Sequence, residues 1–445
     1  MNQIYVEYEQ SILILGYGCL GQGILPLLLK HIDLDTSKIT VLEKDNNKDT
    51  FDLRHGNSNI KYMRLEITKE NYKEELKKYL APGGLLVNCS VDIDAESILV
   101  WCMENDVMQI DTSLETWPDD SDLTDPQRTI YHAHKTVRAA MKEYLDGPTC
   151  VVTHGANPGY VSHLAKRALL DLARSRNMVF NIPTSKEEWA QLMKTAGVKT
   201  IHISEQDTQI INKPKQLNEF VNTWSCHGFY NEGVAPAELG WGTHEEVIPP
   251  DGRIQGNTVY ITQPGICTMV NSWVPKGGNF RGYCIQHSEL LTINEYFTTQ
   301  DQTYQPSVYY VYQPCKATID SLDELKERNL QLQDATRIIK SEIISGMDEL
   351  GVLLLGDDFA WWHGSQMTIE TANRLIPGES ATSVQVVGSM LAAIVWMIKN
   401  PRQGYTEPDD LPFEEVLEIG DQYWQDLISV DSDWAHSCNF NDLLL

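Results

Sequence analysis

The sequence predicts an α/β protein: a doubly wound parallel sheet in the N-terminal part, a second, α+β domain behind it, and C-terminal helices returning to the first domain. Three observations carry this. Short apolar, β-rich runs alternate with helical stretches over residues 1–155. Pro and Gly then punctuate longer polar runs and β-type segments. A long apolar helix dotted with small residues stands near the C-terminus.

Taken in order, Ser11–Leu15, Ile39–Glu43, Ile60–Leu65, Leu85–Cys89, Val107–Asp111 and Thr149–His154 read as six strands, with helices over Gly21–His31, Asn71–Leu80 and Ala95–Asn105. Strands separated by helices need crossovers, which leave neighbouring strands parallel. After Asn157-Pro158-Gly159 a helix is expected over Tyr160–Ser175. Strands follow around Thr200–Ser204, Thr258–Thr262, Tyr283–Leu290 and Val308–Tyr312, in a largely antiparallel sheet. Pro249-Pro250-Asp251-Gly252 and Lys276-Gly277-Gly278 interrupt that region. Ser380–Lys399 predicts a helix whose Gly388, Ala392 and Ala393 permit close packing, and Thr406–Asp433 reads as an amphipathic helix. The expected domains are therefore 1–155, 156–375 and 376–445, the last packing on the first.

The 445 residues, 42% hydrophobic and 22% charged, are enough for a sizeable core and unlike a disordered or fibrous chain. The formal net charge of −27 repels nucleic-acid backbones and anionic lipid and attracts cationic ligands, so basic small molecules such as polyamines fit and DNA does not. Nine scattered cysteines without a Cys-x-x-Cys pair read as reduced. The opening MNQIYVEYEQ carries no positive side chain, and the apolar runs after it are broken. Neither a signal peptide nor a membrane span is expected, and the protein is expected in the cytoplasm.

Gly16-Tyr17-Gly18-Cys19-Leu20-Gly21 follows the first strand and opens the first helix, the context a dinucleotide fingerprint requires. There the first glycine permits the turn, the second lets a pyrophosphate approach the backbone and the third allows tight helix packing, while free helix amides receive the phosphates. Glu43 ends the next β-rich run, 22 residues after Gly21. A carboxylate at that point accepts from a ribose diol and repels a 2′-phosphate, so NAD is expected rather than NADP, although Lys44 beside it weakens the preference.

Ligands of such sheets bind beyond the carboxyl ends of the strands. The residues there are Asn88-Cys89-Ser90, Asp111-Thr112-Ser113 with Glu115, and His154-Gly155-Ala156-Asn157. The second domain offers Glu205, Trp224, Glu232, the His287-Ser288-Glu289 run and Asp357-Asp358, carboxylates and tryptophans with few arginines between them. An amino acid's carboxylate calls for arginine forks, whereas an ammonium group calls for acids and an aromatic face. No metal is expected: His287-Ser288-Glu289 lacks a Pro-Cys-x-x-Cys partner, and no H-E-x-x-H occurs.

The segments GYGCLGQG, NCSVDID, DTSLE, THGANPG, VKTIHISEQDTQ, FVNTWSCHGF, EGVAPAELGWGTHE, FRGYCIQHSE and ESATSVQVV, in that order, resemble the bacterial homospermidine synthases, relatives of the saccharopine dehydrogenase group. The resemblance spans nearly the whole chain. It implies a homodimer with a Rossmann-type NAD-binding domain and a second domain supplying the substrate cavity and the dimer contact. It implies NAD as a retained cofactor, with putrescine, or spermidine as aminobutyl donor, converted to homospermidine with release of ammonia or diaminopropane. An alkylammonium must lose a proton before it can give up hydride, so a base such as His287 or a carboxylate is needed.

By resemblance Trp224 holds the cationic intermediate through its ring, Glu232 and Glu205 bind amine groups, and Asn157, Glu115, His287, Glu289 and Asp357 complete the cavity. The choice between Asp357 and Asp358 stays open. Gly16, Gly18, Cys19, Leu20, Gly21, Glu43, Asn88, Cys89, Ser90, Asp111, Thr112, Ser113, Ala156 and Asn157 are the expected cofactor residues. Two alternatives remain: an amino-acid dehydrogenase of the saccharopine or carboxynorspermidine type, which would turn over NAD(P)H, and a catalytically silent NAD-binding interaction protein.

Overall fold

The structure, a computed structural model, describes residues 3–118, 123–144, 146–434 and 437–445. The chain divides into two compact units.

The first unit comprises Met1–Leu123, Ala133–Gly159 and Ser383–Tyr423. Its sheet runs Tyr405–Thr406, Cys150–Val151, Met108–Ile110, Leu85–Asn88, Ile12–Leu15, Ile39–Glu43, Lys61–Arg64, and each recorded pairing is parallel. All six expected strands are present. The central strands are buried throughout, as helices on both faces demand. The outermost strand, Tyr405–Thr406, comes from more than two hundred residues further along and has no local signal. Helix Cys19–His31 begins immediately after the glycine turn.

Gly388 explains the small-residue pattern of Ala381–Lys399. A Cβ there would lie 2.2 Å from Tyr423 Cβ, so helix Phe413–Trp424 packs directly on the glycine. Gly23 of Cys19–His31 meets Val387 in the same way, at 3.0 Å. By length and composition Ala381–Lys399 could cross a membrane, but 89% of its apolar window is buried within the protein, as in a core helix.

The second unit comprises Thr124–His132, Tyr160–Thr382 and Trp424–Leu445. Its ten-stranded sheet has the path Gly252–Gln255, Thr258–Pro264, Pro236–Gly240, Ser307–Gln313, Thr200–Asp207, Met347–Gly356, Phe359–Thr368, Leu427–Ser432, with Met269–Val274 and Gly278–Ile285 branching from Ser307–Gln313. Only Ser307–Gln313 against Thr200–Asp207 is parallel.

Two expectations are corrected, and one hairpin was not expected at all. Tyr283–Leu290 is not one strand: Gly278–Ile285 ends, and helix Glu289–Tyr296 follows, burying Leu290, Leu291 and Ile293. Within Thr406–Asp433 the α-helix covers Phe413–Trp424, after a single 3-10 turn at Pro408–Asp410. Asp426, at φ 53°, ends the helical run, and Leu427–Ser432, with β-branched Ile428 and Val430, joins the sheet edge. The long hairpin Met347–Gly356 and Phe359–Thr368 was not anticipated, because its continuous burial erases the two-residue alternation that marks a half-exposed strand. Residues 383–423 group with the first unit and 424–445 with the second.

Candidate active site

In the first unit, the glycine loop has the features of a pyrophosphate cradle. Gly16 adopts φ 86°, and a Cβ on it would lie 2.8 Å from the Cys89 carbonyl oxygen. Gly21 sits on the Gly16 carbonyl, where a Cβ would come within 2.1 Å. Gly18, between them, faces open space and caps helix Cys19–His31 without any side-chain acceptor. A helix N-terminus that opens on a glycine, with no capping side chain on that residue, suits an anion. Room above Gly18 together with that N-terminus fits a dinucleotide.

Glu43 is buried, and its carboxylate accepts the amides of Tyr17 and Asp45. It braces the glycine loop as well as placing negative charge at the end of its strand. Lys44 pairs with Asp92 at 3.6 Å. Asn88 Oδ1 accepts the Ser90 amide at 3.2 Å, and Cys89 and Ser90 are partly exposed at the strand end. Thr112 and Ser113 are likewise partly exposed, with the Ser113 hydroxyl donating to Glu115 at 3.0 Å.

Asp111 departs from expectation. It is 2% exposed, and its carboxylate accepts the Thr153 amide at 2.6 Å and the Gln109 side chain at 2.7 Å, while its carbonyl accepts the His154 amide at 2.9 Å. Both carboxylate oxygens are engaged within the protein, so Asp111 acts as an internal clamp. The clamp holds Thr153 at φ 51° and starts the loop to Gly159, which closes through Gly155 N–H to the Pro158 carbonyl at 2.7 Å. Ala156 is fully buried in that loop, so its side chain too serves packing; Asn157 is its partly exposed member. Burial lifts the Asp111 carboxyl to about 7, against its two hydrogen bonds.

In the second unit, five of the expected residues are linked. His287 and Glu289 lie where strand Gly278–Ile285 gives way to helix Glu289–Tyr296, and Glu232 lies on helix Cys226–Val234. His287 Nε2 is 3.0 Å from Glu232 and Nδ1 is 3.3 Å from Glu289. A neutral imidazole would turn a lone pair toward one of those carboxylates, so the ring is an imidazolium. Burial opposes its charge, but Glu232 and Glu289 raise its pKa to about 10. Both ring nitrogens are thus engaged by carboxylates, and of the two kinds of base expected here, His287 or a carboxylate, both stand in the same contact.

The His287 ring stacks on Tyr310 at 4.4 Å, Tyr310 stacks on Tyr312 at 5.5 Å, Tyr312 meets Phe229 at 5.4 Å, and Phe229 meets Trp224 at 5.5 Å. Trp224 itself is partly exposed. Glu205 is reached through Tyr310, whose hydroxyl donates to it at 2.6 Å. Asp207 and Asp348 stand on the same sheet face as Glu205, directly paired across adjacent strands. Glu205, Asp207 and Asp348 are at most 3% exposed. Burial, with Glu205 and Asp207 alongside, pushes Asp348 well above the ordinary carboxylate range, and burial lifts Asp207 to about 6.

Asp357 does not join this group. Its side chain is 73% exposed at a hairpin turn and pairs with Lys199, and Asp358 beside it pairs with Arg176. The residues that sequence reasoning missed are Asp207, Asp348 and Tyr310. Asp207 and Tyr310 had a usable signal, the two-residue spacing that puts them on one sheet face with Glu205 and Tyr312. Asp348 had none, since its hairpin was not recognised.

Residues 12–151 match the saccharopine dehydrogenase NADP binding domain family, and residues 155–430 match the saccharopine dehydrogenase C-terminal domain family. The chain is 38% identical to a homospermidine synthase of Blastochloris viridis, covering 97% of this chain and 93% of that protein. It is 36% identical to a homospermidine synthase of Mesorhizobium japonicum, covering 97% and 92%. The crystal structure of the homospermidine synthase from Legionella pneumophila in complex with NAD superposes with a TM-score of 0.91 at 33% identity, over 99% of this chain and 98% of that one. A saccharopine dehydrogenase from Saccharomyces cerevisiae shares the fold, with a TM-score of 0.51 at 13% identity.

Proposed function

From the premise that this chain belongs to the homospermidine synthase family, within the saccharopine dehydrogenase group, we propose that it is an NAD-dependent homospermidine synthase. Two putrescines, or spermidine and putrescine, give homospermidine, with ammonia or diaminopropane leaving. The observation that carries this reading is the second unit's cluster, in which buried carboxylates meet a histidine, hydroxyls and stacked aromatic rings. That chemistry suits an alkylammonium.

Gly16, Gly18, Cys19, Leu20 and Gly21 would hold the pyrophosphate, with Glu43 turned to the ribose diol, which favours NAD. Bound there, NAD would supply hydride-transfer chemistry, oxidising and then reducing in one turnover. Asn88, Cys89, Ser90, Thr112, Ser113 and Asn157 line the strand ends on which such a cofactor lies. Glu232 and Glu205 bind ammonium groups, and a carboxylate of the His287 trio takes the proton that must leave an amine of pKa ~10 before oxidation. Trp224 offers a ring face to the cationic intermediate, and Glu115 and Glu289 add negative charge. The exchange of one amine for another at the imine requires that water be kept out. We place the protein in the cytoplasm as a homodimer acting on small polyamines.

The test is to incubate the purified protein with NAD and putrescine and analyse the polyamines by mass spectrometry. Homospermidine without net NADH supports the reading. NADH accumulation would instead mark an ordinary dehydrogenase, and NAD binding without turnover of any diamine would mark a binding protein.

A further inference from the structure

One side chain joins the two halves of the acidic cluster. The Tyr310 ring lies flat on His287 at 4.4 Å, and its hydroxyl donates to Glu205 at 2.6 Å. Asp348 stands on the same face of the adjacent strand, opposite Asp207 and diagonal to Glu205, and all three are buried. Two carboxyl groups held this way in the interior favour a single negative charge between them, because two anions there would repel each other. The donors that each receives bias which of them keeps the proton. Asp348 receives the aliphatic hydroxyl of Thr382, and Glu205 receives a phenol, the stronger donor. Asp207, opposite Asp348, is occupied by Thr223 at 2.9 Å and by Gln209. Tyr312, stacked on Tyr310, the imidazolium of His287 with its partners Glu232 and Glu289, and the buried thiol of Cys315 beside Asp207 are further titratable groups of this cluster.

We propose that Tyr310 is a positioning residue that fixes the negative charge of the Glu205–Asp348 pair on Glu205 and leaves the shared proton on Asp348, so that Glu205 is the anion presented to an alkylammonium. This rests on the reading of Glu205 as an amine-binding residue. The upward displacement of Asp348 by burial and by its acidic neighbours agrees with the assignment. The face of the ring carries a second duty: stacked on the imidazolium, it stabilises the His287 charge. The two duties separate by substitution, since Tyr310→Phe removes the hydroxyl and keeps the stack.

The experiment measures KM and kcat for putrescine, the pH profile of kcat/KM, NAD affinity and melting temperature for Y310F, E205Q, D348N and Y310F/D348N. In Y310F the putrescine KM rises about 10- to 100-fold, the factor that a hydrogen bond to a charged group commands. kcat falls less, the acid limb of the profile moves to higher pH, NAD affinity stays as in wild type, and the melting temperature drops modestly as one buried hydrogen bond is lost. In the D348N background the pair has no proton to allocate, so the effect of Y310F on the acid limb shrinks. Wild-type KM and acid limb in Y310F, or an undiminished effect in Y310F/D348N, would overturn the proposal. E205Q separates it from its premise: if E205Q leaves the putrescine KM unchanged, the amine-binding reading of Glu205 fails, whereas an E205Q effect without a Y310F effect sinks the Tyr310 role alone. Should Y310F not fold, infrared spectroscopy decides. The wild-type minus D348N difference spectrum shows a protonated-carboxyl C=O band, and its absence overturns the assignment.

Discussion

His287 Nε2 lies 3.0 Å from Glu232 Oε2, across 55 positions of chain, and ties a strand-to-helix junction to a separate helix. With Glu289 on its other nitrogen, the contact sets the buried His287 ring between two carboxyl groups.

The charge on that ring has a pH signature. Burial works against the imidazolium, but the two carboxylates raise its pKa to about 10, above the unfolded value of about 6.5. The stabilisation is therefore complete below pH about 6.5 and is lost as pH rises through about 10. Melting temperatures of wild type and H287Q, measured from pH 6 to pH 10, should converge with rising pH. Parallel curves would show that the ring is neutral in the folded protein.

Trp224 touches the aromatic series at Phe229 and keeps part of its ring exposed, as a cation–π partner requires. W224A is expected to lose about 2- to 30-fold in kcat/KM for putrescine, the range that such contacts span, with W224F retaining part of the activity. NAD titration by fluorescence should give the wild-type affinity. Undiminished turnover in W224A would remove the ring from the mechanism.

Asp111 clamps the loop that carries Asn157, so D111A strands the Thr153 amide and costs about 1–3 kcal/mol of stability, with weaker NAD binding. D111N keeps the acceptor for Thr153, and a flip of the Gln109 amide supplies its new donor with a partner. Because burial lifts Asp111 to about 7, the ionised form is disfavoured on folding. This penalty is absent below pH about 4, grows as pH rises to about 7 and then levels off. D111N should accordingly gain in melting temperature over wild type across that window and hold the gain above it. A pH-independent difference between them would contradict the assignment.

Gly16 takes φ 86° and abuts the Cys89 carbonyl, so a methyl group there is strained twice over. G16A should weaken NAD binding at least tenfold, as measured by calorimetry, while putrescine protects the variant against heat as it does wild type. Wild-type NAD affinity in G16A would mean that the loop is not the pyrophosphate cradle.

Much of this was legible before any coordinates. The six parallel strands, the glycine turn with its helix, and Glu43 at its strand end follow from patterns within about 30 residues, where spacing and stereochemistry leave few alternatives. Glu205, Trp224, Glu232, His287 and Glu289 were named by resemblance, and they are the residues that the structure joins in one cluster. Asp357 was misplaced because an acidic pair in a hairpin turn looks the same in sequence whether it faces a cavity or solvent, and here Lys199 and Arg176 hold it outside.

The amino-acid sequence by itself determined the parallel sheet, the anion-binding turn and the acidic character of the molecule, because each arises from local periodicity or from a sum over residues. Tertiary structure decided which carboxylates stand together in the interior. Glu205 and Asp348 meet only because Thr200–Asp207 and Met347–Gly356 pair in one register, and Tyr310 reaches Glu205 only because Ser307–Gln313 lies parallel on the other side. Proton placement depends on distance and burial, and a chain written in one dimension holds neither.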